Sequence, residues 1–201
     1  EQSSVWDEGK GWMGLDQFYG GKEGNWQVEQ GGVAGHLVTW AIHPVASPGL
    51  PMIEQLKSLA STAKASTGHD TGKVIPFSRN TPKGEVLNWL LAYNHYKSPL
   101  PGDGLIPFLI AWSSEAHLLP CNTSPTGCSV VSIRATHPDI QSVGTVLEAL
   151  GLCVKYFSPD TMNFQNSSSS SQARYKTVEL TQGPKARFTV ILDTPKGRIE
   201  V

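Results

Sequence analysis

From residue 32 onward the apolar positions of the chain follow two alternating periods. His36-Leu37-Val38-Thr39-Trp40-Ala41-Ile42 reads as a strand closed by His43-Pro44. Leu50 to Ala60 then spaces its apolar residues by three and four, as an amphipathic helix does. Three short apolar runs follow, Lys73 to Phe77, Glu85 to Tyr93 and Leu105 to Trp112, each bounded by Gly, Pro, Asn or Ser turn chemistry. The predicted order is β-α-β-β-β.

The same order recurs further on. Ser129 to Ala135 is a strand closed by His137-Pro138, and Asp139 is a good N-cap for a helix with Ile140, Val143, Val146, Leu147 and Leu150 on one face, stopped by Gly151. Strands are then expected at Cys153 to Phe157, Tyr175 to Leu180, Arg187 to Leu192 and Gly197 to Val201. Both strand-to-helix junctions read His-Pro, and Gly104 and Gly197 precede the two closing strands 93 residues apart. The pattern predicts an α+β chain with an internal duplication, two tandem βαβββ modules at 32–113 and 128–201. A Gly- and Trp-rich lead-in occupies residues 1–31, a linker residues 114–127, and a serine-rich loop Asn166 to Ser171.

Composition narrows the functions available. Sixteen basic against seventeen acidic residues give a net charge of −1, which leaves no electrostatic footprint for nucleic acid or anionic lipid. No apolar run approaches the roughly 18 residues a spanning helix needs, so no membrane role is expected. The three cysteines, Cys121, Cys128 and Cys153, show no CxxC spacing and are too few for a disulfide framework, which favours the cytoplasm or another reducing compartment. Asn122-Thr123-Ser124 and Asn166-Ser167-Ser168 match the glycosylation sequon, a pattern that has meaning only on a secretory route.

Aromatic residues on strands can wall a small-molecule pocket, and Trp40, Trp89 and Trp112 fall on three predicted strands of the first module. Alternation puts Leu87, Trp89, Leu91 and Tyr93 on one face and Val86, Asn88, Leu90 and Ala92 on the other. Asn88 on a mostly apolar face requires a partner, and Arg79, ahead of a Pro-Lys-Gly turn, is suited to clamp a carboxylate. The competing expectation is that the tryptophans are core and Arg79 is surface. His43 and His137 read as turn residues, and His69 and His117 as solvated ones. No nucleophilic triad is readable from residue order, and Gly31 to Gly35 precedes a strand, the reverse of a phosphate-binding loop.

Paired βαβββ modules, with Asp193-Thr194-Pro195-Lys196-Gly197-Arg198-Ile199-Glu200-Val201 at the end of the second, resemble the vicinal oxygen chelate superfamily of glyoxalase I, bleomycin-resistance proteins and extradiol dioxygenases. Thr39-Trp40-Ala41, Ser78 to Gly84 leading to Leu87-Asn88-Trp89, and Gly104 to Trp112 with His117 resemble its glyoxalase-like domain proteins. The resemblance covers residues 32–201. It implies curved mixed sheets around one pocket, and a further module ahead of the Trp-Ala strand, to which residues 1–31 would be the connector.

It also implies a divalent ion, Zn, Ni, Mn or Fe, held by residues on the first and last strands of each module. On the 93-residue offset those four positions are His36, Ser129, Pro107 and Glu200, of which only His36 and Glu200 can ligate. Glu200 is then the candidate catalytic residue as well, and a third ligand must come from elsewhere, for example His95 or a partner chain. Three functions stay open: a metal-dependent enzyme of lyase, isomerase or dioxygenase type acting on a small organic molecule, a metal-free small-ligand binding module, and a structural subunit. A homodimer or a partner chain enters by analogy with members that pair modules between subunits.

Overall fold

The computed structural model describes residues 39–44, 49–81, 83–93, 100–119, 122, 126–157 and 177–200. The lead-in, His36, His95 and the serine-rich loop lie outside the described residues. The elements, in chain order, are β1 (Ala41–Ile42), α1 (Met52–Thr67), β2 (Val74–Asn80), β3 (Val86–Ala92), β4 (Phe108–Trp112), β5 (Ser129–His137), α2 (Ile140–Ala149), β6 (Cys153–Phe157), β7 (Thr177–Gln182), β8 (Arg187–Thr194) and β9 (Gly197–Glu200). Single 3-10 turns at Pro101–Gly104 and Ala116–Leu118 flank β4.

The fold is mixed α+β, with one helix serving each of two mixed sheets. In the first sheet the order is β1-β4-β3-β2, with β1 parallel to β4 and the other pairs antiparallel. In the second it is β6-β7-β5-β8-β9, with β6, β7 and β5 mutually parallel and β8 and β9 antiparallel. The second half carries one strand more than the first, and the pairing differs as well: the opening strand β1 lies at an edge, whereas its sequence counterpart β5 is central. Equating positions by the 93-residue offset therefore has no support from strand pairing.

Helix α1 outruns the expected segment by seven residues, to Thr67, where Gly68 takes a left-handed φ of 73° and returns its N–H to the Lys64 carbonyl at 2.9 Å. Apart from Lys64 the added turns are built from Ala, Ser and Thr, whose small side chains leave little hydrophobic period. Ser66 and Thr67 turn their hydroxyls back to the Thr62 and Ala63 carbonyls. Helix α2 begins as its sequence dictates, with Asp139 accepting the Ser142 N–H at 3.0 Å.

One hydrophobic cluster joins the halves. Leu56 and Ala63 of α1, Ala92, Leu109 and Ala111 of the first sheet, Val143 and Leu147 of α2, and Ile133, Val178 and Leu180 of the second sheet are all buried within it. The two helices pack on each other as well as on their own sheets, so the core runs from one sheet through the helix pair to the other. Each fully buried leucine contributes about 1.5–3 kcal/mol of transfer free energy, and the cluster is shared.

Candidate functional site

Alternation along the strands of the first sheet sorts its side chains into two faces. Leu90, Ala92, Leu109 and Ala111 belong to the core, and Ile42 and Trp40 pack against the same cluster. Trp40 donates its indole N–H to the Leu105 carbonyl at 2.8 Å, so its polar atom is spent inside the fold. Asn88 belongs to the same side by alternation but is exposed, and needs no ligand to satisfy it. Its backbone is tied to Ser114, whose hydroxyl accepts the Asn88 N–H at 2.6 Å.

The opposite face collects the aromatics. Phe77, Trp89 and Trp112 lie in one cross-strand row, since Phe77 pairs with Trp89 and Trp89 with Trp112. Phe77 and Trp89 stack with centroids 6.0 Å apart and planes 12° from parallel; Trp89 and Trp112 are 5.9 Å apart at 55°. Ile75, Leu91 and Ile110 form the next row, and Tyr93 meets Phe108 edge-on at 5.7 Å beyond it. Arg79 pairs with Leu87, one step along from the Phe77–Trp89 pair on the same face; it is exposed and has no carboxylate partner among the described residues. Of the expected ligand-binding residues, Arg79, Trp89 and Trp112 are brought together, while Trp40 and Asn88 fall on the other side. Phe77, which completes the ladder, was visible in the sequence as an alternating position of the Lys73 to Phe77 run.

Two histidines adjoin this face. His43 donates from Nδ1 to the Pro44 carbonyl at 2.6 Å, which leaves Nε2 to accept the Trp112 N–H at 3.4 Å: the side chain caps β4 where the two-residue strand β1 runs out. His117 is exposed, as expected of a solvated residue, yet it contacts the Glu85 carboxylate at 3.2 Å and that of Glu115 at 3.4 Å. At the other end of the sheet, past the Tyr93–Phe108 pair, a shallow open cleft is lined by Thr39, His69, Asp70, Thr71, Tyr93 and Phe108 among others. His69 is therefore half-buried at a cleft wall rather than fully solvated.

In the second sheet, Arg134 of β5 binds Glu179 of β7 through Nε at 2.9 Å and approaches Glu200 of β9 through Nη1 at 3.7 Å. Glu200 also accepts the Thr189 hydroxyl at 3.1 Å. Lys155 pairs in register with Glu179, so a row of polar side chains crosses the whole sheet. Glu200 thus meets a guanidinium and a hydroxyl, with Glu179 on the other side of the same Arg134. Ser129 lies opposite Asp193 at the far end of β5, and Pro107 directly precedes β4 of the other sheet. Among the described residues no three His, Cys, Asp or Glu side chains gather as a metal site. Asp193 of the terminal motif is held below the usual carboxylate range, chiefly by its hydrogen bond from Arg198, which reaches it at 2.8 and 3.3 Å.

Comparisons with protein-family profiles, with curated proteins and with solved structures give no match to this chain. Among the described residues, no helix is long and apolar enough to cross a membrane.

Proposed function

We propose that the protein binds a planar organic anion on the aromatic face of its first sheet, as a glyoxalase-like small-molecule binding protein. The observation that carries this reading is the Phe77–Trp89–Trp112 ladder with Arg79 at its end. Aromatic rings offer an apolar surface, and the Arg79 guanidinium, without a carboxylate partner among the described residues, adds a bidentate partner for a carboxylate, so the pair favours an aromatic molecule with an acidic end. The strand order of the first sheet, with its opening strand parallel to its closing one after a helical crossover, supports a βαβββ module there; the second half has one strand beyond that order, β9. A Lewis-acid role for a divalent ion would rest on His36, outside the described residues, and on Glu200, which meets Arg134 and Thr189.

The test is a tryptophan-fluorescence titration with benzoate and 4-hydroxycinnamate. Saturable quenching is expected, weakened about tenfold or more by Arg79→Ala, as loss of a charge-assisted hydrogen bond should do. Trp89→Ala should abolish it. Titrations that proceed identically in the parent and both variants would sink the proposal.

A further inference from the structure

The β2–β3 hairpin carries two opposite charges onto the aromatic face without joining them. Thr81 donates its N–H to the Glu85 carbonyl at 2.7 Å and accepts the Glu85 N–H on its hydroxyl at 3.2 Å, which extends the ladder one pair beyond Asn80–Val86. Alternation then places Glu85 on the face of Leu87 and Trp89, diagonally across from Arg79, a spacing that long side chains of neighbouring strands can bridge. Yet the two do not pair. Among the described residues Arg79 has no carboxylate partner, and the Glu85 carboxylate meets the His117 imidazole instead, Nε2 at 3.2 Å.

His117 does not cancel the charge at this end of the face. It stands between Glu85 and Glu115, at 3.2 and 3.4 Å, so two carboxylates share one imidazole and the group stays net negative even with a proton on both ring nitrogens. The Glu85 side chain is 43% exposed, and Arg79 is exposed as well. Beside them lie the Phe77 and Trp89 rings, their centroids 6.0 Å apart. A cation, an anion and an aromatic surface at adjacent register positions complement a molecule with the same three parts, in which one carbon joins a carboxylate, an ammonium and an aromatic side chain. We propose that the ligand of the aromatic face is an aromatic α-amino acid, with its ring against Trp89, its carboxylate on Arg79 and its ammonium on Glu85. This assignment rests on the anion-binding reading of the face, to which it adds the ammonium that a simple aromatic acid lacks.

The experiment is isothermal titration calorimetry of the full chain with L-phenylalanine, with hydrocinnamate, which lacks the ammonium, and with phenethylamine, which lacks the carboxylate. Phenylalanine should bind about tenfold tighter than either, the scale of one charge-assisted hydrogen bond. Glu85→Gln should weaken phenylalanine about tenfold and tighten hydrocinnamate, because it removes an attraction in the first case and a repulsion in the second. Arg79→Ala should weaken phenylalanine and hydrocinnamate alike. The assignment is overturned if phenylalanine binds the parent no tighter than hydrocinnamate, or if Glu85→Gln moves both ligands in the same direction; hydrocinnamate held through Arg79 would then leave the anion-binding reading standing. If none of the three binds, that reading falls and the amino-acid assignment falls with it.

Discussion

Asp103 and His137 meet across the seam between the halves of the molecule, Oδ2 to Nε2 at 3.6 Å. Asp103 holds a left-handed φ of 50° between two left-handed glycines, and Gly102 beside it lies so close to Val143 of α2 that an added Cβ would sit 3.3 Å from the valine. His137 ends β5, is 8% exposed, and accepts the Asp139 N–H on Nδ1 at 2.9 Å. The sequence predicts a turn residue here; the structure makes it a buried strand end that also supports the start of α2. His137→Ala is expected to cost about 2 kcal/mol, because it orphans the Asp139 N–H and opens a void. Urea unfolding should show one transition at lower midpoint with unchanged slope, coincident by tryptophan emission and by far-ultraviolet circular dichroism.

A second expectation concerns Gly144, in the middle of α2. Alanine is the better helix former by about 1 kcal/mol, but its methyl would run into the Tyr156 hydroxyl and lie 2.7 and 2.9 Å from ring carbons. Overpacking of this kind costs about 1–3 kcal/mol, so Gly144→Ala should be destabilising in the parent. In a Tyr156→Ala background the same substitution should become stabilising by about 1 kcal/mol, and thermal melts of the four proteins check the reversal of sign.

Tyr156 supplies a pH prediction. Its phenol is raised above the ordinary value by desolvation first, then by the charge of Glu148 and the hydrogen bond it donates to that carboxylate, 3.4 Å away. The raised native value favours the protonated ring. Its contribution to stability is therefore complete below the usual phenol value and is lost as pH climbs through the native one. Glu148→Gln should bring the Tyr156 titration, followed by ring-carbon NMR, back toward the ordinary value.

Asp193 behaves in the opposite sense. Its carboxyl is depressed by Arg198, so the stabilisation it brings to the β8–β9 hairpin is present above the ordinary carboxylate value and is lost as pH falls through the native one. Arg198→Met should restore an ordinary Asp193 titration in a carboxyl-carbon NMR experiment, whereas an unchanged titration would place the cause elsewhere.

The polar row of the second sheet makes a prediction about metal. Glu200→Gln should leave zinc, nickel, manganese and iron contents, measured by elemental analysis after incubation with each ion, the same as in the parent. Stability should change by no more than about 1 kcal/mol, the scale of exposed ion pairs. Loss of a stoichiometric ion in the variant would show that the carboxylate leaves Arg134 and Thr189 to ligate.

The sequence made the strands and the second helix legible because their periods are strong. Val86–Ala92 and Ser129–His137 fall within two residues of expectation, and Asp139 caps α2 through the predicted contact. The opening residues of the Leu105 to Trp112 run are instead a turn, since Leu105 and Ile106 follow a 3-10 segment and Pro107 cannot donate to a sheet. What remained hidden was non-local. Periodicity assigns Trp89 to a face but does not say that Trp40 lies on the other side, because the face of an isolated strand end depends on its parallel pairing with β4. Nor does it reveal that β5 is central while β1 is peripheral, or that Glu200 meets Arg134, both of which depend on strand order.

The shared core has a consequence for how the chain can be divided. With α1 and α2 packed on each other, neither half closes its own hydrophobic face, so each is the other's missing surface. Two polypeptides cut between residues 119 and 128 would behave as complementary fragments, insoluble or molten when apart and reassembling when mixed. Two sheets built on one shared core should therefore lose their structure together.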